Sequence, residues 1–575
     1  MAKSTANLDM RLEAGATTPT IPTPLRSPDP TPVGTTVELR PREDFDHRLG
    51  RIVAVSGSQA VLLLEGDQGD GELDDQPPLQ IGTLVKTRTP YTIVYGIVSG
   101  LSIPMPSSDP SDESYRIVEL ELLGEVSADA DAEGRDFHRG VSYLPSLADS
   151  VYATDQNDLA LVYTFPTKSA VRIGTIHQDR TVPAYVVIDD LLGKHFAILG
   201  TTGAGKSCAV ALILRAILSQ HPNGHVLLLD VHNEYAQALG TSAEVLDLHS
   251  LQIPYWLLNL EEVEEIVINS EGRDAEVEAA ILNEVIVEAK RLFVGKDDRN
   301  ARRITVDAPV PYRLGDVFRL LDEAAGRLDR PRDSAPYMRL KARFAALQSD
   351  PRFDFMFPGL SVRDNMAQIL SQLFRIPVSG KPVTIVDLSG VPSEIVNVVV
   401  SVLCRMTFDF ALWSERSMPM LLVCEEAHRY APTDSGRGFE PTKRALSKIA
   451  KEGRKYGVSL CLVSQRPSEL AAEILSQCNT IFALRMSNQK DQDFVRSAMS
   501  ESALGLMDFL PSLRNAEAIA VGEGVSVPMR LCFDEIPDGE RPMSGTASFS
   551  EGWSKEIEDD DFVETVIERW RHRLR

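Results

Sequence analysis

Cysteine is scarce and shows no pairing pattern. Only six of the 575 residues are Cys (Cys208, Cys404, Cys424, Cys461, Cys478 and Cys532), and no two form a C-x-x-C pair. Several sit in apolar runs and read as reduced core thiols of a cytoplasmic protein, which excludes a disulfide or zinc framework. Long hydrophobic runs are missing as well. The best candidate, Ile395 to Trp413, is broken by Asn397, Arg405 and Asp409, short of the ~18 uninterrupted apolar residues of a membrane span. The N-terminus has no signal-peptide core, so no membrane partner is expected. A basic excess is also absent, since 59 Lys and Arg face 83 Asp and Glu for a net charge of −24. That excludes a surface coated for nucleic acid. It does not exclude DNA inside a channel, where a few loop cations per subunit suffice.

What is present begins with composition. At 43% apolar and 25% charged, the chain is globular, with room for two or three domains. Residues 1–40 are rich in Pro, Thr, Ser and Ala and read as a disordered tail or an arm that orders on a partner. From Asp46 to about Ile176, short β-rich runs at 51–55, 60–64, 83–87, 92–98 and 115–122 are separated by Gly, Asp and Pro, the pattern of a small β-barrel. The acidic stretches Asp67 to Asp75 and Asp129 to Asp136 read as solvated hairpin tips. From Thr181 onward strands alternate with helices, which predicts a parallel α/β sheet. Residues 260–375, with helical periodicity over Glu261 to Ile268 and Asp274 to Phe293, read as a helical insertion. Residues 551–575 read as an acidic segment ending in an amphipathic helix.

The stretch Gly200-Thr201-Thr202-Gly203-Ala204-Gly205-Lys206-Ser207 fits G-x-x-x-x-G-K-[ST], a phosphate-binding loop. It follows the apolar run His195 to Leu199 and precedes the helical run Cys208 to Leu218. Strand, glycine turn and helix N-terminus together make an anion cradle. In it Lys206 reaches the β- and γ-phosphates of ATP, and the Ser207 hydroxyl holds Mg²⁺. The apolar run Met420 to Cys424 ends in Glu425 and Glu426. There the first acid serves the magnesium shell and the second orients or deprotonates the attacking water; the alternative is a pair of exposed strand-end acids. Val458 to Ser464 is another buried strand, and Gln465 at its end is a candidate sensor of the γ-phosphate or a loop hydrogen-bonder. Arg454, in Lys451-Glu452-Gly453-Arg454-Lys455-Tyr456-Gly457, is either a cation that reaches a neighbouring subunit's nucleotide or part of a solvated basic turn. Asp230 and Glu234, after the run Val226 to Leu229, are candidates to border the nucleotide. His232 lacks a second His or Cys at suitable spacing for a metal site and reads as a loop hydrogen-bonder.

Taken together, these motifs resemble the HerA/FtsK branch of P-loop ATPases, and specifically the HerA group. The resemblance is carried by residues 195–207, Pro254-Tyr255-Trp256-Leu257-Leu258-Asn259, Glu425-Glu426-Ala427-His428-Arg429-Tyr430, 452–457, Ser464-Gln465-Arg466-Pro467-Ser468-Glu469-Leu470 and Ile474-Leu475-Ser476-Gln477-Cys478-Asn479-Thr480. It covers about residues 45–535. It implies an α/β fold, a RecA-like P-loop ATPase core with a helical insertion plus an N-terminal small β-barrel. The domain division it suggests is a tail at 1–40, a barrel at 41–178, core at 179–259 and 381–540, an insertion at 260–380 and a C-terminal tail at 541–575. It further implies a homohexameric ring that moves double-stranded DNA through a central pore. In that scheme Gly200 to Cys208 and Lys194 bind nucleotide, Ser207 and Glu425 hold the metal, Glu425 and Glu426 form the hydrolytic pair, Gln465 senses, and Arg454 acts in trans.

Nothing in the sequence resembles a nuclease, so a separate nuclease or effector is expected, NurA-like in end resection or sirtuin-like in phage defence. Two other readings compete with the translocase. One is an ATPase scaffold that activates an effector, with translocation secondary. The other is a DNA-independent secretion or conjugation motor.

Overall fold

The computed structural model describes residues 47–64, 79–103, 116–128, 136–164, 168–247, 250–295, 301–326, 334–357, 362–434, 439–499, 504–543, 549–554 and 561–572. The expected tail at 1–40 and the acidic hairpin tips at 67–75 and 129–135 lie outside the described residues.

The first part of the chain forms strands β1 (Arg48–Ser56), β2 (Gln59–Leu64), β3 (Leu84–Arg88), β4 (Thr92–Ser102), β5 (Arg116–Ser127), β6 (His138–Arg139) and β7 (Ser150–Ala153). Their order is β2-β1-β7-β3-β4-β5-β6, and β5 also pairs with β2. Six strands therefore close on themselves, with β6 appended to β5, and closure leaves no exposed edge among the six. Ile52, Leu62, Val94, Val118, Leu120 and Val151 fill a core of their own. The short β7 completes the circle between β1 and β3. Its four residues are too few to show an alternation, so the sequence pattern does not reveal it. Outside that core, Lys86 Nζ and Tyr95 OH reach the Asp158 carboxylate at 2.7 and 2.8 Å. This ties the barrel to helix α1 (Gln156–Tyr163).

The remaining elements build an eleven-stranded sheet. They are β8 (Ala170–Ile176), β9 (Pro183–Val187), α2 (Ile188–Leu192), β10 (His195–Leu199), α3 (Lys206–Gln220), β11 (Val226–Asp230), α4 (Tyr235–Leu239) and β12 (Ala243–Leu246). The helices α5 (Leu260–Val267), α6 (Arg273–Val294), α7 (Leu314–Gly326), α8 (Ala335–Gln348) and α9 (Met366–Leu373) follow, with no strand between them among the described residues. The chain re-enters the sheet as β13 (Val383–Asp387), α10 (Ser393–Trp413), β14 (Met420–Cys424), α11 (Glu440–Tyr456), β15 (Val458–Ser464), α12 (Ala472–Leu475) and β16 (Cys478–Leu484). It ends with α13 (Gln489–Ser497), α14 (Leu504–Met507), β17 (Glu517–Gly522), β18 (Met529–Phe533), α15 (Phe549–Trp553) and α16 (Phe562–His572).

The order β12-β13-β11-β14-β15-β10-β16 is parallel throughout. The wholly parallel expectation is corrected at the far side, where β17, β18, β8 and β9 add antiparallel pairs. β8 thus belongs to this sheet although it precedes the expected barrel boundary at 178. The parallel strands β10, β11 and β14 are buried along their whole length, as helices on both faces require. α10 is, among the described residues, the one helix long and apolar enough to cross a bilayer. Its apolar side chains are instead packed into the core. The insertion is pinned to α10 by Arg405, whose guanidinium bonds both Glu262 oxygens at 3.1 and 3.0 Å and whose Nη2 donates to the Leu257 carbonyl at 2.5 Å.

Candidate active site

In a parallel sheet, ligands sit at the carboxyl ends of the strands, and the polar residues collect there. The glycine-rich loop leaves β10 and enters α3 with Gly203 at φ 75° and Gly205 at φ 101°. Both angles suit glycine, which lets successive N–H groups turn inward. Gly200 is required for a different reason: a Cβ there would meet Leu484 Cβ at 2.8 Å. The first four N–H groups of a helix, counted from its N-cap, have no partner within it, and in α3 these belong to Gly205, Lys206, Ser207 and Cys208. The Ala209 N–H closes on the Gly205 carbonyl at 2.9 Å, so the four before it face the loop. Thr201 anchors the loop through its Oγ1 and its N–H, both donated to the Arg485 carbonyl at 3.0 and 2.9 Å. The Ala204 carbonyl accepts the Ala516 N–H at 3.4 Å.

Lys206 Nζ donates to the Thr201 carbonyl at 3.1 Å. Burial pulls its pKa down, against the opposing pull of Glu426, Glu425 and Glu234. Ser207 Oγ donates to Glu234 Oε2 at 2.5 Å. This refines the expected metal pair of Ser207 and Glu425, because the acid on the Ser207 hydroxyl is Glu234, at the start of α4. Glu425 Oε2 instead accepts the Val231 N–H at 3.2 Å. Burial first, then Asp230 and Glu234, push the Glu425 carboxyl up to about 9. Asp230 is fully buried and accepts the N–H groups of His232 and Tyr235 at 3.2 and 3.1 Å. It thereby shapes the turn that delivers Glu234.

Glu426 lies one residue beyond Glu425 in the left-handed region, at φ 51° and ψ 42°. Non-glycine residues adopt that conformation at a cost, and they cluster at functional sites. Its Oε1 accepts from Gln465 Nε2, and the Gln465 Oε1 accepts from Thr202 Oγ1. Its Oε2 is buried without a hydrogen bond. An ionised carboxylate can only accept, so this oxygen is poised to take a water. His232 Nε2 stands 3.9 Å from Oε1, and among the described residues no cluster of three or more His, Cys, Asp or Glu forms a metal cage. Cys208 lies half-buried beside the loop, with its thiol pushed up by burial.

Two of the expected site residues are elsewhere. Lys194 precedes β10 and Arg454 precedes β15, so both stand at the amino edge of the sheet. A strand rises about 3.3 Å per residue, which puts the loop of this chain about 16 Å from Lys194 and Gln465 about 23 Å beyond the start of β15. Lys194 is paired with Glu523. Arg454 is exposed, makes no ion pair among the described residues, and lines a groove of about 850 Å³ with Leu192, His221, Met418 and Ser459. Neither reaches the chain's own phosphate loop. The sequence reading missed His428 and left Glu234 without a bond. The signal for Glu234 was its place at a strand end beside Asp230, a register shared with Glu425.

Comparison with known proteins adds the lineage. Residues 171–407 match the family model described as helicase HerA, central domain. The chain is 26% identical over 414 residues to the DNA double-strand break repair helicase HerA of Pyrococcus furiosus, covering 66% of this chain and 71% of that protein. It is 27% identical over 534 residues to the protein of the same name from Sulfurisphaera tokodaii, covering 89% and 97%. A looser likeness, with a TM-score of 0.45 at 14% identity, relates 66% of this chain to the whole of the structure of VirB4 of Thermoanaerobacter pseudethanolicus.

Proposed function

We propose that this chain, which belongs to the HerA family of P-loop ATPases, hydrolyses ATP to drive double-stranded DNA through the pore of a homohexameric ring. The core is then RecA-like, and a separate nuclease or effector completes the system. One observation carries the reading: a glycine cradle, a lysine, a serine and two buried acids converge at the carboxyl ends of β10, β11, β14 and β15. The donor set fits a magnesium nucleotide, since the Ser207 hydroxyl lies beside carboxylates and the loop glycines leave room for phosphate oxygens. Mg²⁺, when bound, neutralises charge on the β- and γ-phosphates.

The chain's own groups do the rest. The N–H groups from Gly203 to Cys208 hold phosphate oxygens. Lys206, now on the Thr201 carbonyl, would hold the β- and γ-phosphates, and Ser207 and Glu425 would hold the metal, which would supply positive charge to those phosphates. Glu426 accepts a proton from the attacking water at Oε2, while Gln465 fixes the other oxygen and links it to the loop through Thr202. Arg454, out of reach of its own site, supplies charge stabilisation to the next subunit.

The test is ATP turnover of the full chain with and without duplex DNA, alongside the particle mass. Stimulation by duplex DNA in a particle of six subunits is the expected result. An intact hexamer that duplex DNA does not stimulate would overturn the translocase reading.

A further inference from the structure

Glu426 is approached from a second side that the mechanism above does not use. After β14 the chain turns at Glu426 and forms a short 3-10 segment, Ala427–Arg429. That turn folds the His428 ring back toward the acid. His428 Nδ1 lies 3.2 Å from Glu426 Oε2 and 3.1 Å from Ser464 Oγ, and the side chain is only 13% exposed. Ser464 is fully buried at the end of β15. Its carbonyl accepts the Gly200 N–H at 3.2 Å, and its Oγ accepts the Arg466 N–H at 3.1 Å. The contacts close a circuit. It runs from the phosphate loop at Gly200 to Ser464, then to His428, Glu426 and Gln465, and returns to the loop at Thr202.

We infer that His428 is a positioning residue that holds the water-facing oxygen of Glu426 in register with the phosphate loop, by sharing its Nδ1 proton between Ser464 Oγ and Glu426 Oε2. An ionised carboxylate offers only lone pairs, so an unprotonated Nδ1 at that distance would repel it; the proton therefore sits on Nδ1. Two acceptors competing for one N–H leave Oε2 under-bonded, which agrees with its standing as a buried oxygen without a hydrogen bond. Such an oxygen is steered by the ring yet still available to a water. The inference rests on the ATPase reading of this same site.

The test measures kcat, KM for ATP and nucleotide affinity of the full chain for His428→Ala, His428→Asn and Glu426→Gln, and for His428→Ala combined with Glu426→Gln. His428→Ala is expected to lower kcat by about 10- to 100-fold, the scale of a misplaced reacting group. KM and nucleotide affinity should stay within about 2-fold, since binding energy comes from the loop. His428→Asn places an amide N–H near the Nδ1 position and should recover most of the rate. The double variant should lose no more than Glu426→Gln alone. Wild-type kcat in His428→Ala would overturn the inference while leaving the ATPase reading intact. A loss that Asn does not rescue, or one that raises KM in proportion, would reduce His428 to packing and also overturn it. Full turnover by Glu426→Gln would overturn the reading of the acid itself, and this inference with it.

Discussion

The two edges of the parallel sheet carry different parts of the expected site. At the carboxyl edge, Glu234, Glu425 and Glu426 crowd round a phosphate loop whose one ammonium is Lys206, and the acids bond to one another's neighbours rather than to cations. At the amino edge, Lys194 and Arg454 stand beside strand starts with no phosphate-binding loop to serve. Strand length keeps the sets apart, because no side chain spans about 16 Å or more of strand. A hydrolytic site needs both, since charge building on a transferring phosphoryl group is stabilised by cations as well as positioned by acids. In the ring proposed above, Arg454 of one subunit would add a cation to the carboxyl edge of the next, beside the Lys206 already there.

Substitutions can break that comparison, in order of expected effect. Lys206→Ala removes the ammonium of the phosphate loop and should abolish nucleotide binding, read by titration with a fluorescent ATP analogue. Arg454→Ala should lower turnover by about 10³- to 10⁵-fold, the scale of an arginine finger, with nucleotide binding retained. Rings mixed with Glu426→Gln subunits should then recover part of the rate, because some interfaces regain both an acid and a finger. Strictly additive activities in such mixtures would count against a shared site. Glu426→Gln should bind ATP normally and lose hydrolysis by about 10²- to 10⁴-fold, the range of general base catalysis. Lys194→Ala should move KM for ATP several-fold in assembled rings. Its partly exposed pair with Glu523 should leave stability within about 1 kcal/mol, as surface ion pairs do; a KM unchanged in rings would remove Lys194 from the shared site.

Much of the carboxyl edge was legible in the sequence because its parts are local. The glycine spacing of the loop, the apolar strand before it and the helix after it are contiguous. The acids after Cys424 and the glutamine after Ser464 each end a buried run, and strand ends in a parallel sheet share one edge. Contacts that depend on strand order were not legible. The Ser207–Glu234 bond joins neighbours only after β11 and β10 take their places on either side of β14 and β15, and the His428–Ser464 contact needs β14 beside β15. The antiparallel strands β17 and β18 and the closing strand β7 escaped for a related reason. Their runs are short, and β7 and β18 each pair with a strand far away in the chain. The amino-edge placement of Arg454 was implicit in its position before a strand, yet only the register of β15 against β10 shows how far that edge lies from the loop.

The subtlest expected effect is on stability, and it sharpens the contrast between the edges by weighing the acidic one. The Glu425 carboxyl is pushed up to about 9, by burial first and then by Asp230 and Glu234. A folded-state pKa above the unfolded value means that the folded protein holds more protons across the window between them. This group's contribution to stability is therefore fully present below about 4.5 and is lost as pH rises through about 9. The nucleotide-free protein in chelator should be strained at this edge at alkaline pH. Glu425→Gln, which keeps the shape without the charge, should then melt at the same temperature as the unsubstituted protein near pH 5 and about 2 °C or more above it near pH 9. Magnesium nucleotide should shrink the gap by giving the wild-type carboxylate a cation to face. A gap that is constant with pH would mean that Glu425 is ionised without cost, and that the acids do not need charge brought in from outside.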